Sequence, residues 1–228
     1  MRKYQSGFTL VEIAIVLVII GLLLGGVLKG QELINSAKIK NVINDFTSTS
    51  AAIYGYQDRY KTLPGDDTGT ARWPASTGFP AGLVGNGNSI IDNAGAACAF
   101  TSNSGNTNEC YSIWVDLRQA GFITGALTSG PPQNAYGGIL GVQNGNDALQ
   151  TGGVAGTGFK GPIICETNIP DKAAIAIDNQ LDDGNPQTGS VRSLLQADAV
   201  TPAAVSGVAA SANYLETSTN YYTVCKAQ

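Results

Sequence analysis

Glu12 is the one charged residue in the run Phe8–Leu28. An ionised carboxylate inside a membrane span costs several kcal/mol unless something compensates it. The same sequence contains a means of making the opposite charge. A cut after Gly7 would free an amine on Phe8, four residues before the acid. With such a cut, the chemistry would be ion pairing in an apolar medium, with Phe8 and Glu12 as the pair.

Other chemistry is sparse. The chain has no histidine, which removes the commonest general base and the commonest zinc ligand and speaks against a hydrolase. Its net charge of -4 carries no basic footprint, so no nucleic-acid partner is expected. The neighbouring acids Asp66 and Asp67, and Asp182 and Asp183, invite a glycosidase reading. Adjacent aspartates in a turn face different ways, however, and that chemistry requires a set separation between carboxyls. The expectation is therefore no enzyme and no required cofactor.

Four cysteines, Cys98, Cys110, Cys165 and Cys225, lie far from the apolar run. An even count in an exported segment points to disulfides, for which three connectivities exist. Cys98–Cys110 with Cys165–Cys225 is preferred. The first pair brackets one polar loop, and the second staples the C-terminal segment, for about 4 kcal/mol in the chain-entropy model. The absence of a Cys-x-x-Cys spacing argues against a metal.

The elements that position these residues follow from periodicity. The segment from Phe8 to about Tyr60 lacks proline and reads as one long helix. Phe8–Leu28 would span ~31 Å, close to the hydrocarbon thickness. Arg2 and Lys3 before it predict a cytoplasmic N-terminus. Ile39, Val42, Ile43, Phe46, Ile53 and Tyr60 form an apolar stripe suited to packing on a sheet, with Lys38, Lys40, Asn41, Asn44 and Asp45 largely in water. Leu63-Pro64-Gly65-Asp66-Asp67 breaks the helix, and residues 68–110 read as a long irregular connection. A short helix is expected over Tyr111–Ile123, with Trp114 and Leu117 buried and Gly121 as its C-cap. Another is expected over Ile169–Leu181, with Pro170 near its start. Strands are expected near Gly138–Val142, Gly161–Thr167 and Asn220–Lys226. The fold class is α+β: a long N-terminal helix, first half transmembrane and second half packed on an antiparallel sheet, with a loop-rich, disulfide-containing head. The organisation is a leader over 1–7, a transmembrane helix over 8–28, the amphipathic half of that helix over 29–62 and a globular head over 63–228. Trp73, Phe79, Tyr136, Tyr221 and Tyr222 are aromatic candidates for surface contact.

Two ordinary explanations compete for the N-terminus. A secretory signal peptide would need a small-residue cleavage site after its core, and none follows. A plain signal-anchor accounts for the length but not for Gly7-Phe8 or Glu12. The leader and its acid instead resemble the signal of type IV prepilins and type II secretion pseudopilins. That resemblance implies cleavage after Gly7 by a membrane prepilin peptidase and methylation of Phe8. It further implies an inner-membrane precursor surrounded by lipid, with a periplasmic head, that an inner-membrane assembly platform draws into a homo- or hetero-oligomeric pilin or pseudopilin fibre, at the cell surface in the pilus case. Many type IV pilins carry a helix-weakening proline where this chain has Lys29. Gly21, Gly25 and Gly26 nearby suit either close helix approach or a segment that extends in a fibre.

Pro64-Gly65-Asp66-Asp67, Trp114-x-x-Leu117-x-x-Ala120-Gly121-Phe122-Ile123 and Asp182–Gly189 resemble a group of large prepilin-like proteins. With the insertions at 68–110 and 143–160, they favour a minor or specialised subunit over a compact major pilin. A secretion pseudopilin and a membrane-anchored adhesin or binding module are the alternatives. Two loops are calcium candidates, since calcium takes six to eight oxygens. Leu83–Asp92 is similar to a Gly-Asn-Gly-Asp-Gly-x-Ile loop that has lost its central aspartate. Asp182 and Asp183, with Asp178 and Asn185 around the Gly184 turn, form the more acidic site, and pseudopilins of the major class hold calcium near their C-terminal end.

Overall fold

The computed structural model describes residues 9–68, 85–93, 98–101, 108–198 and 205–228. Helix α1, Leu10–Tyr60, runs through the proline-free segment and ends where Lys61 leaves helical space at φ 61°. The chain divides between Lys38 and Ile39 into two units. In the first, the apolar side chains from Leu10 to Leu28 are exposed, and the most apolar stretch is long enough to cross a membrane with none of it buried.

The second unit begins with the amphipathic part of α1. Val42, Phe46 and Ile53 are buried, and Ile39, Ile43 and Tyr60 pack against them. Thr49, Ala52 and Tyr56 extend the buried stripe. On the other side of the helix Lys40, Asn41 and Asn44 are exposed, whereas Lys38 and Asp45 are half-buried. Beyond α1 come α2 (Glu109–Gln119), β1 (Leu140–Asn144), β2 (Pro162–Pro170), α3 (Asp171–Leu181), β3 (Val191–Leu195) and β4 (Tyr221–Ala227). Among the described residues the strands form a four-stranded antiparallel sheet in the order β1-β2-β4-β3.

Both faces of the sheet are covered. Period-two alternation sends Val142, Ile164, Val191, Tyr222 and Val224 into one core with α1, Trp114 and Leu117 of α2, and Ile177 of α3. Ile163, Cys165 and Cys225 point to the opposite side and meet Phe100, Leu149, Phe159 and Val205. Each fully buried large aliphatic side chain contributes ~1.5–3 kcal/mol. The 143–160 insertion therefore supplies a packing layer.

Four expectations require correction. The helix expected from Ile169 starts at Asp171, because Ile169 and Pro170 pair with Tyr222 and Tyr221 across an irregularity in β2. Gly121 sits one residue beyond the C-cap Ala120: at φ 78° its N–H donates to Arg118 while Phe122 N–H donates to the Leu117 carbonyl, a Schellman closure. The described part of the 68–110 connection is irregular up to Asn93 with residues 86–90 exposed, but it contributes Ile91, Asp92, Cys98 and Phe100 to the buried interior. Tyr222 is a core residue, with no exposed surface, and Tyr136 packs against the same core. Trp73 and Phe79 lie outside the described residues.

Candidate functional site

The start of α1 is organised by Glu12 itself. Its Oε2 accepts the Thr9 backbone N–H at 2.8 Å and the Thr9 hydroxyl at 2.8 Å, while Glu12 N–H donates to Thr9 Oγ1 at 3.3 Å. With α1 beginning at Leu10, Thr9 is the N-cap and Glu12 the third helical residue, a reciprocal capping box. The Thr9-x-x-Glu12 spacing is itself the sequence signature of such a cap. The acid is thus hydrogen-bonded locally and satisfies helix-end donors that would otherwise be unpaired. Gly7 and Phe8 lie outside the described residues.

In the head, the segment after α1 is a hydrogen-bonding junction. Gly65 N–H donates to the Asp116 carboxylate at 2.7 Å, and Ser112 Oγ donates to the Gly65 carbonyl at 3.2 Å. Asp66, buried, accepts the successive N–H groups of Gly87 (2.6 Å), Asn88 (3.2 Å) and Ser89 (2.6 Å). Asp67 accepts the Tyr56 hydroxyl at 2.8 Å. The two neighbouring carboxylates thus serve different partners, as a structural role requires.

That junction takes in the described residues of the first calcium candidate, Leu83–Asp92. Within its described residues, three backbone donors converge on an anion, Asp66. Asp92 accepts the side-chain amides of Asn86 and Asn88, and Glu109 accepts the N–H groups of Asn86 and Asp92. A nest of N–H groups suits a carboxylate and repels a cation. Burial, helped by Asp66 and Asp92, pushes Glu109 up to about 7 against the pull of those two N–H bonds.

The second acidic site is brought together. Ligand-capable oxygens of Asp178, Asp182 and Asp183 lie within 4.8 Å of one another. Asp178 is buried at the C-terminal end of α3 and accepts the Tyr214 hydroxyl at 2.8 Å and Gly184 N–H at 3.3 Å. Asp182 accepts Val191 N–H, and Asp183 accepts Asn185 N–H and the Thr188 hydroxyl. Burial raises Asp178 to about 6 despite its two donors, with Asp183 and Asp182 adding repulsion. Asp183 is lowered by the Thr188 hydroxyl and Asn185 N–H. Each carboxylate oxygen retains a lone pair beyond these single bonds, so the donor chemistry fits a hard cation.

All four cysteines are paired, Cys98 with Cys110 and Cys165 with Cys225. The second pair joins residues directly opposite on β2 and β4.

Residues 2–28 match the prokaryotic N-terminal methylation motif, the signal of type IV pilins and pseudopilins. No curated protein and no solved structure matches the chain. The motif and the exposed apolar helix together fit an inner-membrane-anchored, pilin-like or pseudopilin protein. The motif implies processing by prepilin peptidase and assembly into fibres, and it points to a structural subunit in place of an enzyme.

Proposed function

We infer that this chain is a minor or specialised subunit of a type IV pilus or pilus-like fibre. The observation that carries the reading is the methylation motif joined to a helix whose apolar side chains from Leu10 to Leu28 have no cover of their own. The precursor sits in the inner membrane with its head outside the cytoplasm. Cleavage after Gly7 exposes the Phe8 amine, which is methylated and pairs with Glu12 of a neighbouring subunit during extraction. Residues Ile13–Leu28 then exchange lipid for other subunits' helices. N-terminal mass spectrometry of the cell-associated protein tests the first step: the expected species begins at methylated Phe8, and a chain that always begins at Met1 overturns it. Glu12→Ala tests the second, since cleavage persists while fibre assembly fails or slows.

A type II secretion pseudopilin shares every one of these steps and differs in making a short periplasmic fibre. Electron microscopy of the cell surface separates the two. For a membrane-anchored adhesin or binding module, removing the chain abolishes adhesion while fibres are still present.

The convergence of Asp178, Asp182 and Asp183 supports a calcium ion beside Asp182 and Asp183. Bound calcium would relieve the repulsion among the three acids and tie the end of α3 to the turn before β3. The head should then melt higher in calcium than in chelator, and Asp183→Asn should abolish the difference. An unchanged melting temperature removes calcium from the site.

A further inference from the structure

A groove of about 590 Å³ opens on the head between the last turns of α1, the residues that follow it, and the start of β2. Tyr54 and Gln57 of α1, Thr62, Ser89 and Gln228 supply its polar lining. The volume lies in the range of small-molecule sites, and three features define the ligand.

Tyr54 is 55% exposed, so a large aromatic ring is left beside a cavity with no side chain covering it. Such a ring offers a flat apolar face and a polar edge together. Around it stand two primary amides and two hydroxyls, groups that both donate and accept. Finally, the lining holds no carboxylate side chain, and its one cation, Lys61, is drawn to Asp58 at 3.0 Å. A cationic ligand finds no side-chain counter-ion here, and an anionic one finds only the exposed Lys61, already paired with Asp58.

We propose that this groove binds a neutral saccharide, with the Tyr54 ring against a sugar face and the Gln57 amide and the Thr62 and Ser89 hydroxyls on its hydroxyl groups. Adjacent sugar hydroxyls each donate and accept, matching neutral amides and hydroxyls better than any ion does. The site is remote in chemistry from the acidic cluster and independent of N-terminal processing.

The test is saturation-transfer NMR on the full chain in a detergent without a sugar headgroup. The probes are glucose, galactose, mannose, N-acetylglucosamine and the β-linked disaccharides lactose and cellobiose. Transfer to the ring protons of at least one sugar is expected, falling at least about fivefold in Tyr54→Ala and in Gln57→Ala and surviving in Tyr54→Phe, which keeps the aromatic face. Both positions are on the helix surface, and an unchanged circular dichroism melt certifies each variant. No transfer from any of the six sugars, or equal transfer in Tyr54→Ala, overturns the proposal. Concentration-dependent self-association that Tyr54→Ala removes, with no sugar signal, assigns the groove to a second copy of the chain and also overturns it. Mass spectrometry of the N-terminus is unaffected by any of these outcomes, so the fibre reading stands or falls separately.

Discussion

The backbone N–H of Gly65 donates to the carboxylate of Asp116 at 2.7 Å, a bond between residues 51 positions apart that ties the exit of α1 to the middle of α2. Gly65 has φ 91°, and a Cβ there would lie 2.7 Å from the Glu109 carbonyl oxygen. Glycine is required on both counts. Asp116→Ala leaves a buried N–H without a partner and should cost ~1–3 kcal/mol. Gly65→Ala should cost at least ~1–3 kcal/mol through backbone strain alone. Chemical denaturation of the full chain in micelles measures both, and wild-type midpoints would remove the junction's structural role.

Thr9 and Glu12 cap the same helix end. Thr9→Ala should weaken that end by ~1 kcal/mol, read as roughly fivefold faster amide exchange over the first turn of α1 and no change in the head. Unchanged exchange there would mean that Glu12 satisfies the helix end by another route.

Acid strengthens this head before it weakens it. Glu109 is pushed up to about 7 by burial. Glu166, fully buried in β2, is raised well above its ordinary value by burial and by the nearby Asp45 charge, against a smaller pull from the Asn134 amide. The folded head therefore keeps protons that the unfolded chain releases above about 4.5, the ordinary glutamate value. Stability from these groups is complete below that pH and declines as pH rises through 7. Asp147 acts oppositely: the Gly156 N–H and Lys160 ammonium hold it far below the usual range, so its contribution is lost only in stronger acid. Denaturation midpoints at several pH values should fall between pH 4.5 and 7.5, and Glu109→Gln should flatten part of that slope. A midpoint that rises across the window contradicts the assignment.

Cys165 and Cys225 cross-link neighbouring strands over a sequence separation of 60. Replacing both with alanine should cost ~2–5 kcal/mol and expose the core layer with Phe100, Leu149 and Phe159. The readout is the denaturation midpoint together with binding of a hydrophobic dye.

The sequence alone determined the local features. The N-terminal methylation motif lies within residues 2–28, one continuous stretch of the chain. The helix through Tyr60, the strands β1, β2 and β4, and the preferred cysteine pairing were also legible. These rest on short-range periodicity, on breakers such as Pro64, and on spacing within one segment. Tertiary structure decided the rest. Strand β3 was missed because Arg192 and Ser193 interrupt its apolar alternation. Ser193 is nonetheless buried against the Tyr214 hydroxyl at 2.8 Å, a partner 21 residues away. The roles of Asp66 and Asp116 were equally hidden, since each meets backbone donors that only the folded chain brings within reach. Hydrogen bonds and packing between distant segments leave no period in a linear sequence, and they join Asp66 to the N–H groups of Gly87, Asn88 and Ser89 while gathering Asp178, Asp182 and Asp183 into one cluster.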